Sequence, residues 1–187
     1  NYTMDEVLEA DRALGDVPLA STQEQVSLLG AATDPARLAQ EQIGLLAFSP
    51  LARGLLGGRG LSAPLGAGDG RHGDPLFQPR NLAAVRPAFD GVLAPIAEAH
   101  RATPAQVALA WLVAEPGVTA AIAGVQTPEQ VDDVAGALEV ELSDAERDRL
   151  RDAFSAIELD LSLRRSLARR VRDRLGRVAR RIRRSLT

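Results

Sequence analysis

Apolar residues along the chain fall into two kinds of run. Ile43 to Phe48 is nearly continuous and short, as in a buried strand. Val17 to Thr22 and Val118 to Ala123 read as two further short strands. Between these runs, apolar positions recur every three or four residues, the period of a helix face. Such sets are Val7, Leu8 and Leu14; Leu82, Val85, Phe89, Val92, Leu93 and Ile96; Val107, Leu109, Trp111 and Leu112; and Leu150, Phe154 and Ile157. The helical segments carry start signals. Thr3-Met4-Asp5-Glu6 and Ser143-Asp144-Ala145-Glu146 are capping boxes, in which a hydroxyl and a carboxylate satisfy free amides at the helix start. Asp34-Pro35, Thr103-Pro104-Ala105-Gln106 and Thr127-Pro128-Glu129-Gln130 cap three more, with proline at the first helical position. The spacing predicts a helix over 4–14. Pro87, Gly91 and Pro95 interrupt the pattern over 82–96, which predicts a kink. Trp111 is read as core.

Strands alternate with helices, which argues for parallel βα units in an α/β fold. The central strand stops at Ser49-Pro50, since proline cannot donate to a ladder. Arg53, Gly54, Gly57, Gly58 and Arg59 follow at once. Glycines admit close approach of a ligand, and arginines suit phosphate. The carboxyl edge of a parallel sheet is where α/β proteins bind ligands. Residues 57–80 form a long Gly- and Pro-rich loop.

Composition narrows the chemistry. The chain has 187 residues, no cysteine and an apolar share of 45%. Disulfides and thiolate metal sites are excluded, which suits a reducing, cytoplasmic setting. No apolar run is long enough for a membrane helix. There is no lysine; all 22 basic residues are arginine. The net charge of −3 is polarised: residues 161–187 hold eleven arginines and one aspartate, about +10, which leaves about −13 for the rest. No nucleic-acid partner is expected for that acidic body.

Several segments, in order, resemble the aldo-keto reductase family over residues 1 to about 155. Phe48-Ser49-Pro50-Leu51-Ala52-Arg53-Gly54 resembles its aromatic-Ser-Pro-Leu segment. Asn1-Tyr2 resembles the end of its Ser-Asn-aromatic segment, and Ala20-Ser21-Thr22-Gln23 its Asn-Gln strand. Thr103 to Trp111 is similar to another recurrent segment, and Ile122 to Val131 to the last-strand cofactor motif. The resemblance implies the C-terminal portion of a (β/α)8 TIM barrel carrying its last three parallel strands. It sets residues 1–157 as that part of the domain and 158–187 as an Arg-rich amphipathic helical tail. The other five strands are expected upstream of Asn1.

The resemblance also implies a function: reduction of small aldehydes or ketones by hydride from a nicotinamide cofactor. The family's catalytic Asp, Tyr, Lys and His come from the first half of the barrel. This chain has no lysine, and its one tyrosine, Tyr2, matches a different position. His72 and His100 do not match the tetrad histidine. The chain is therefore expected to be inactive alone. What it retains resembles the cofactor half. Asn1 and Gln23 match residues that bond the carboxamide, and Phe48 the aromatic that stacks on the nicotinamide. Ser49, Pro50, Leu51 and Arg53 match the loop along the pyrophosphate, while Arg59 and Arg71 match basic loop positions. Gly124, Gln126, Gln130 and Asp133 match the adenosine-phosphate contacts. The family favours NADP(H) over NAD(H). Against that default, Val134 stands where an adenine-contacting Asn is frequent, and residues 124–130 hold no cation, so Arg59 or Arg71 would have to supply the charge.

The tail has its own pattern. Leu163, Leu167, Val171, Leu175, Val178, Ile182 and Leu186 form one apolar stripe among arginines. An interfacial helix weakly bound to anionic membrane fits this pattern. Docking on nucleic acid or an acidic protein, and a solvated terminal helix, remain alternatives. A non-catalytic nucleotide-binding or regulatory module, tethered by the tail, is the alternative to the enzyme reading.

Overall fold

The computed structural model describes residues 2–61 and 64–161. Asn1 lies outside the described residues, as does nearly all of the Arg-rich tail. Residues 158–161 are irregular, and Asp160 is tied to Asn81.

Three parallel strands form the sheet: β1 (Ser21–Ser27), β3 (Gly44–Phe48) and β4 (Val118–Ile122). A two-residue strand, β2 (Gly30–Ala31), adds antiparallel to the end of β1, so the order is β2-β1-β3-β4. The register sets Gln23 beside Leu46 and Gln25 beside Phe48, with Phe48 beside Ile122 on the far side. Alternation follows on β3. Leu45 and Ala47 are fully buried under the helices, while Leu46 and Phe48 on the opposite face are half-buried.

The helices are α1 (Met4–Ala13), α2 (Pro35–Gln40), α3 (Pro79–Ala88), α4 (Ala94–Ala99), α5 (Pro104–Val113), α6 (Pro128–Ala135) and α7 (Asp144–Ser155). The capping residues act as the sequence predicts: Thr3, Asp34, Thr103, Thr127 and Ser143 each accept an amide of the following turn. The predicted kink is a π-helical stretch, Phe89–Leu93, between α3 and α4. One core runs beneath the sheet, through Leu38, Leu45, Leu55, Leu93, Leu112 and Phe154. Trp111 belongs to it, and its indole N–H donates to the Arg147 carbonyl (3.2 Å).

Two expectations change. The first strand lies at Ser21–Ser27 rather than 17–22. Val17 is exposed, and Leu19 is held outside the sheet by its amide donating to Asp11 (2.8 Å). The strand instead buries Glu24 and Val26. Glu24 is accommodated because the Tyr2 amide (3.1 Å) and the Thr22 hydroxyl (2.9 Å) both donate to it. β2 was not expected; two residues carry no readable period.

Candidate functional site: a cleft at the carboxyl edge of the sheet

The carboxyl ends of β3 and β4 open into a cleft of about 1060 Å³. One wall is the turn after β3. Its backbone is sharply wound: Ser49, Ala52 and Arg53 have φ of 53°, 47° and 58°, the left-handed region that L-residues avoid. Leu55 and Leu56, fully buried in the core, anchor the turn from behind. Gly54 completes it at φ 90°. A Cβ there would lie 3.1 Å from Arg59 Cδ and 3.3 Å from Arg71 Nη1, so two arginine side chains use the space that glycine leaves.

This wall carries the cations. Arg53 pairs with Asp74. Arg71 Nε donates to Asp69 Oδ1 (2.8 Å), Nη2 pairs with Oδ2, and Nη1 donates to the Arg53 carbonyl (3.0 Å). Its guanidinium carbon sits 5.6 Å from the Phe77 ring centroid, a cation–π contact. Hydrogen bonds from the Arg71 side chain and amide hold the Asp69 carboxyl well below its ordinary range, so it stays ionised. Arg71 thus fastens the 69–74 loop to the turn after β3. Among the described residues, Arg59 has no ion-pair partner.

The opposite wall is the end of β4 and the start of α6. Ile122, Ala123, Gly124, Val125 and Gln126 lead into the Thr127 cap. Gln130 Oε1 accepts from the Gln126 amide (2.7 Å), closing the loop on the helix. Asp133 Oδ1 accepts from the Thr103 hydroxyl (3.0 Å), which caps α5. α6 also lies close to α5 at Gly136, where a Cβ would meet Gln106 Nε2 at 2.3 Å. This wall holds no arginine among its lining residues.

Most of the residues singled out from the sequence meet here. Phe48, Ser49, Pro50, Leu51, Arg53, Arg59, Arg71, Gly124, Gln126, Gln130 and Asp133 all line the cleft. Gln23 does not. It was expected at the end of its strand but lies in mid-strand beside Leu46, one row below Phe48, because β1 starts later than the sequence suggested. Asn1 lies outside the described residues. Asp69, Asp74 and Thr103, which hold the lining residues in place, were missed as functional. Only the closeness of Asp69 to Arg71 hinted at any of them.

The two histidines are not among the residues that line the cleft. His72 bonds the Gly66 carbonyl (2.8 Å), and His100 meets Glu146 (2.8 Å) at the start of α7. Among the described residues no cluster of His, Asp and Glu could hold a metal ion, and no helix is long and apolar enough to cross a membrane.

Comparison with known proteins identifies the scaffold. An uncharacterized oxidoreductase of Mycobacterium tuberculosis is 41% identical over 182 residues, covering 95% of this chain and 54% of that protein. An NADH-specific methylglyoxal reductase of Escherichia coli is 30% identical over 111 residues, 59% of this chain and 33% of its own. An aldo-keto reductase of Schizosaccharomyces pombe, named for NADP(+), is 31% identical over 121 residues, 64% and 35%. The chain thus spans about half the length of the mycobacterial protein, and less of the other two. The solved structure of a glycerol dehydrogenase from Gluconobacter oxydans superposes with a TM-score of 0.71 at 24% identity, over 87% of this chain and 50% of that one, which shows a shared fold. The model of the Aldo/keto reductase family matches residues 1–154. With that match over most of its length, the chain belongs to the aldo/keto reductase family.

Proposed function

We propose that this chain forms the cofactor-binding side of a carbonyl reductase. In this reading it is the last part of a (β/α)8 barrel, residues 1–157, and the cleft takes a nicotinamide dinucleotide. The single observation that carries the reading is convergence. Eleven residues chosen from the sequence for cofactor contact line one cleft at the carboxyl edge of a parallel sheet. The donor set suits the group. Phe48 offers an aromatic face at a strand end, Arg53, Arg59 and Arg71 offer guanidiniums, and Gly70 and Gly124 leave open space where a Cβ would stand.

When bound, the dinucleotide supplies hydride to a carbonyl carbon. The residues of this chain bind and orient. Phe48 presents a flat apolar face for the nicotinamide ring. The arginine wall offsets phosphate charge, and the positive end of the α6 dipole favours an anion at the opposite wall. Proton delivery to the carbonyl oxygen needs a group of suitable pKa within reach. The family's Tyr and Lys are not among this chain's residues: there is no lysine, and Tyr2 is exposed away from the cleft lining. That step falls to residues beyond this segment.

Titration of the chain with NADH and NADPH, paired with a turnover assay on an aldehyde panel, tests both halves of the reading. Saturable dinucleotide binding without turnover is expected. Absence of any binding refutes the cofactor reading, and steady turnover by the chain alone refutes the division of labour.

A further inference from the structure

The chain after α7 folds back across the start of α3. Ile157 and Leu159 pack against the core, and Asp160 meets two successive residues of the helix. Its amide donates to Asn81 Oδ1 (3.0 Å), and its carbonyl accepts from Asn81 Nδ2 (3.0 Å). Its carboxylate pairs with Arg80 (2.5 Å). Gln78, the N-cap of α3, makes no side-chain capping bond; the returning chain holds this helix start instead.

The same asparagine holds the cleft loop, since Nδ2 also donates to the Pro75 carbonyl (2.7 Å). Pro75 opens a tight turn, Pro75–Phe77, and both ends of that turn reach the arginine wall. Asp74 caps it: Oδ1 accepts from the Leu76 amide (2.9 Å), while Oδ2 pairs with Arg53. At the other end, the Phe77 ring lies under the Arg71 guanidinium. Two of the three guanidiniums lining the cleft thus rest on this turn, and Asn81, 1% exposed, ties the turn to the returning chain.

We propose that residues 158–161 form a strap on the cleft. Seated on Asn81, the strap holds the Pro75–Phe77 turn and with it the guanidiniums of Arg53 and Arg71, so dinucleotide binding and seating of the strap favour each other. This rests on the reading of the cleft as a dinucleotide site. The link is a shared hydrogen-bonding side chain. With the strap away, Asn81 Oδ1 loses its donor and Nδ2 one of its two acceptors, and the amide can rotate out of line with the Pro75 carbonyl. The turn then loosens, together with Asp74 and Phe77. Reordering them is a cost that binding must meet, and a seated strap has already met it. Linkage makes the effect mutual: a dinucleotide that prefers the seated form holds the strap down by the same factor. Asn81 and Asp160 are positioning residues, and neither lines the cleft.

Amide hydrogen exchange of the full chain, followed by NMR, reads the strap directly, because the Asp160 amide is protected by its bond to Asn81. It is measured without dinucleotide and with saturating NADH or NADPH, whichever binds more tightly. Binding should slow Asp160 exchange about tenfold, within the usual range of coupling between sites. The Leu14 amide, at the end of α1, should be unaffected. Unchanged Asp160 exchange in the saturated chain would overturn the proposal. So would equal slowing at both amides, which is mass action on global unfolding. Failure to bind either dinucleotide would instead refute the dinucleotide reading. Two full-chain variants supply the reverse arm by isothermal titration. Asp160→Pro removes the N–H that Asn81 accepts, in an irregular segment, and should weaken dinucleotide binding about tenfold. Asp160→Ala keeps both backbone bonds and should stay within about twofold of wild type, since it gives up a largely exposed ion pair. The loss in Asp160→Pro should shrink at high salt, because guanidinium–phosphate attraction carries it. Wild-type affinity in Asp160→Pro, or a loss of the same size at every salt concentration, would overturn the link from strap to arginine wall.

Discussion

Asn81 offers the sharpest test of how the cleft is held. It is 1% exposed and makes three hydrogen bonds. Nδ2 donates to the Pro75 carbonyl (2.7 Å) and the Asp160 carbonyl (3.0 Å), and Oδ1 accepts from the Asp160 amide (3.0 Å). The side chain thus joins the start of α3 to the turn beside Asp74 and to the segment after α7. Asn81→Ala removes all three bonds and leaves three backbone groups to find water. At about 1 kcal/mol net per bond, with an added desolvation cost for groups that stay buried, the loss should be about 3–5 kcal/mol. Urea unfolding followed by circular dichroism reads this directly, provided the m-value is unchanged. Asn81→Asp is the control. It keeps the acceptor for the Asp160 amide but turns an oxygen toward two carbonyls, so it should be at least as damaging at neutral pH. A loss below about 1 kcal/mol in both variants would refute the reasoning, since it would mean these groups are already solvated. The effect should reach the cleft as well, because Pro75 adjoins Asp74, the partner of Arg53.

Other outcomes follow from single features. Gly117→Ala should prevent native folding, because φ is 91° and a Cβ would lie 1.9 Å from the Pro35 carbonyl oxygen; a cooperative melt near the wild-type temperature would contradict this. The Glu146 carboxyl is lowered from 4.5 to about 2 by the Ser143 hydroxyl, the His100 ring and the Ser143 amide. Its folded pKa lies below its unfolded one, so its stabilisation is full above about pH 4.5 and is lost as pH falls toward 2. Ser143→Ala should therefore flatten the acid limb of a stability–pH profile in that window. Phe48→Ala should weaken dinucleotide binding by about 1–3 kcal/mol through lost stacking and apolar contact, and unchanged affinity by titration would make Phe48 ordinary core.

The sequence disclosed most readily what is decided locally. All five caps stand where Thr3, Asp34, Thr103, Thr127 and Ser143 signal them, because a cap needs only its own turn. The π-helical stretch sits between Pro87 and Pro95 for the same reason. The start of β1 was hidden, because its centre, Gln23-Glu24-Gln25, is polar. Its strand state depends on pairing with β3 and on the hydrogen bonds to Glu24, which lie far off in sequence. The cleft shows the same division. Its lining was legible as a glycine- and arginine-rich turn and a capped helix. Its supports were not: Asp74 and Thr103 act across 21 and 30 residues, through contacts that exist only once the chain has folded.

Arg53 separates the needs of folding from those of the site. Its φ of 58° is costly for a residue with a Cβ, about 1 kcal/mol or somewhat more. What it gains in stability is modest. Its side chain is half exposed, and an ion pair such as that with Asp74 contributes about 0–1 kcal/mol. The backbone carbonyl that Arg71 bonds would remain with any residue at this position. Arg53→Gly should therefore leave stability within about 1 kcal/mol of wild type, the relieved strain offsetting the lost ion pair and glycine's extra unfolded-state entropy. Dinucleotide affinity should still fall, because one of three lining guanidiniums is gone. Arg53→Ala makes the contrast: it keeps the strain, loses the ion pair, and should be the less stable of the two. Thermal melts and titrations on both variants read the two quantities separately. If Arg53→Gly were as destabilising as the loss of a core residue, the arginine would be part of the scaffold. If it bound dinucleotide as well as wild type, nothing in the cleft would account for a charged residue held in a conformation that glycine adopts freely.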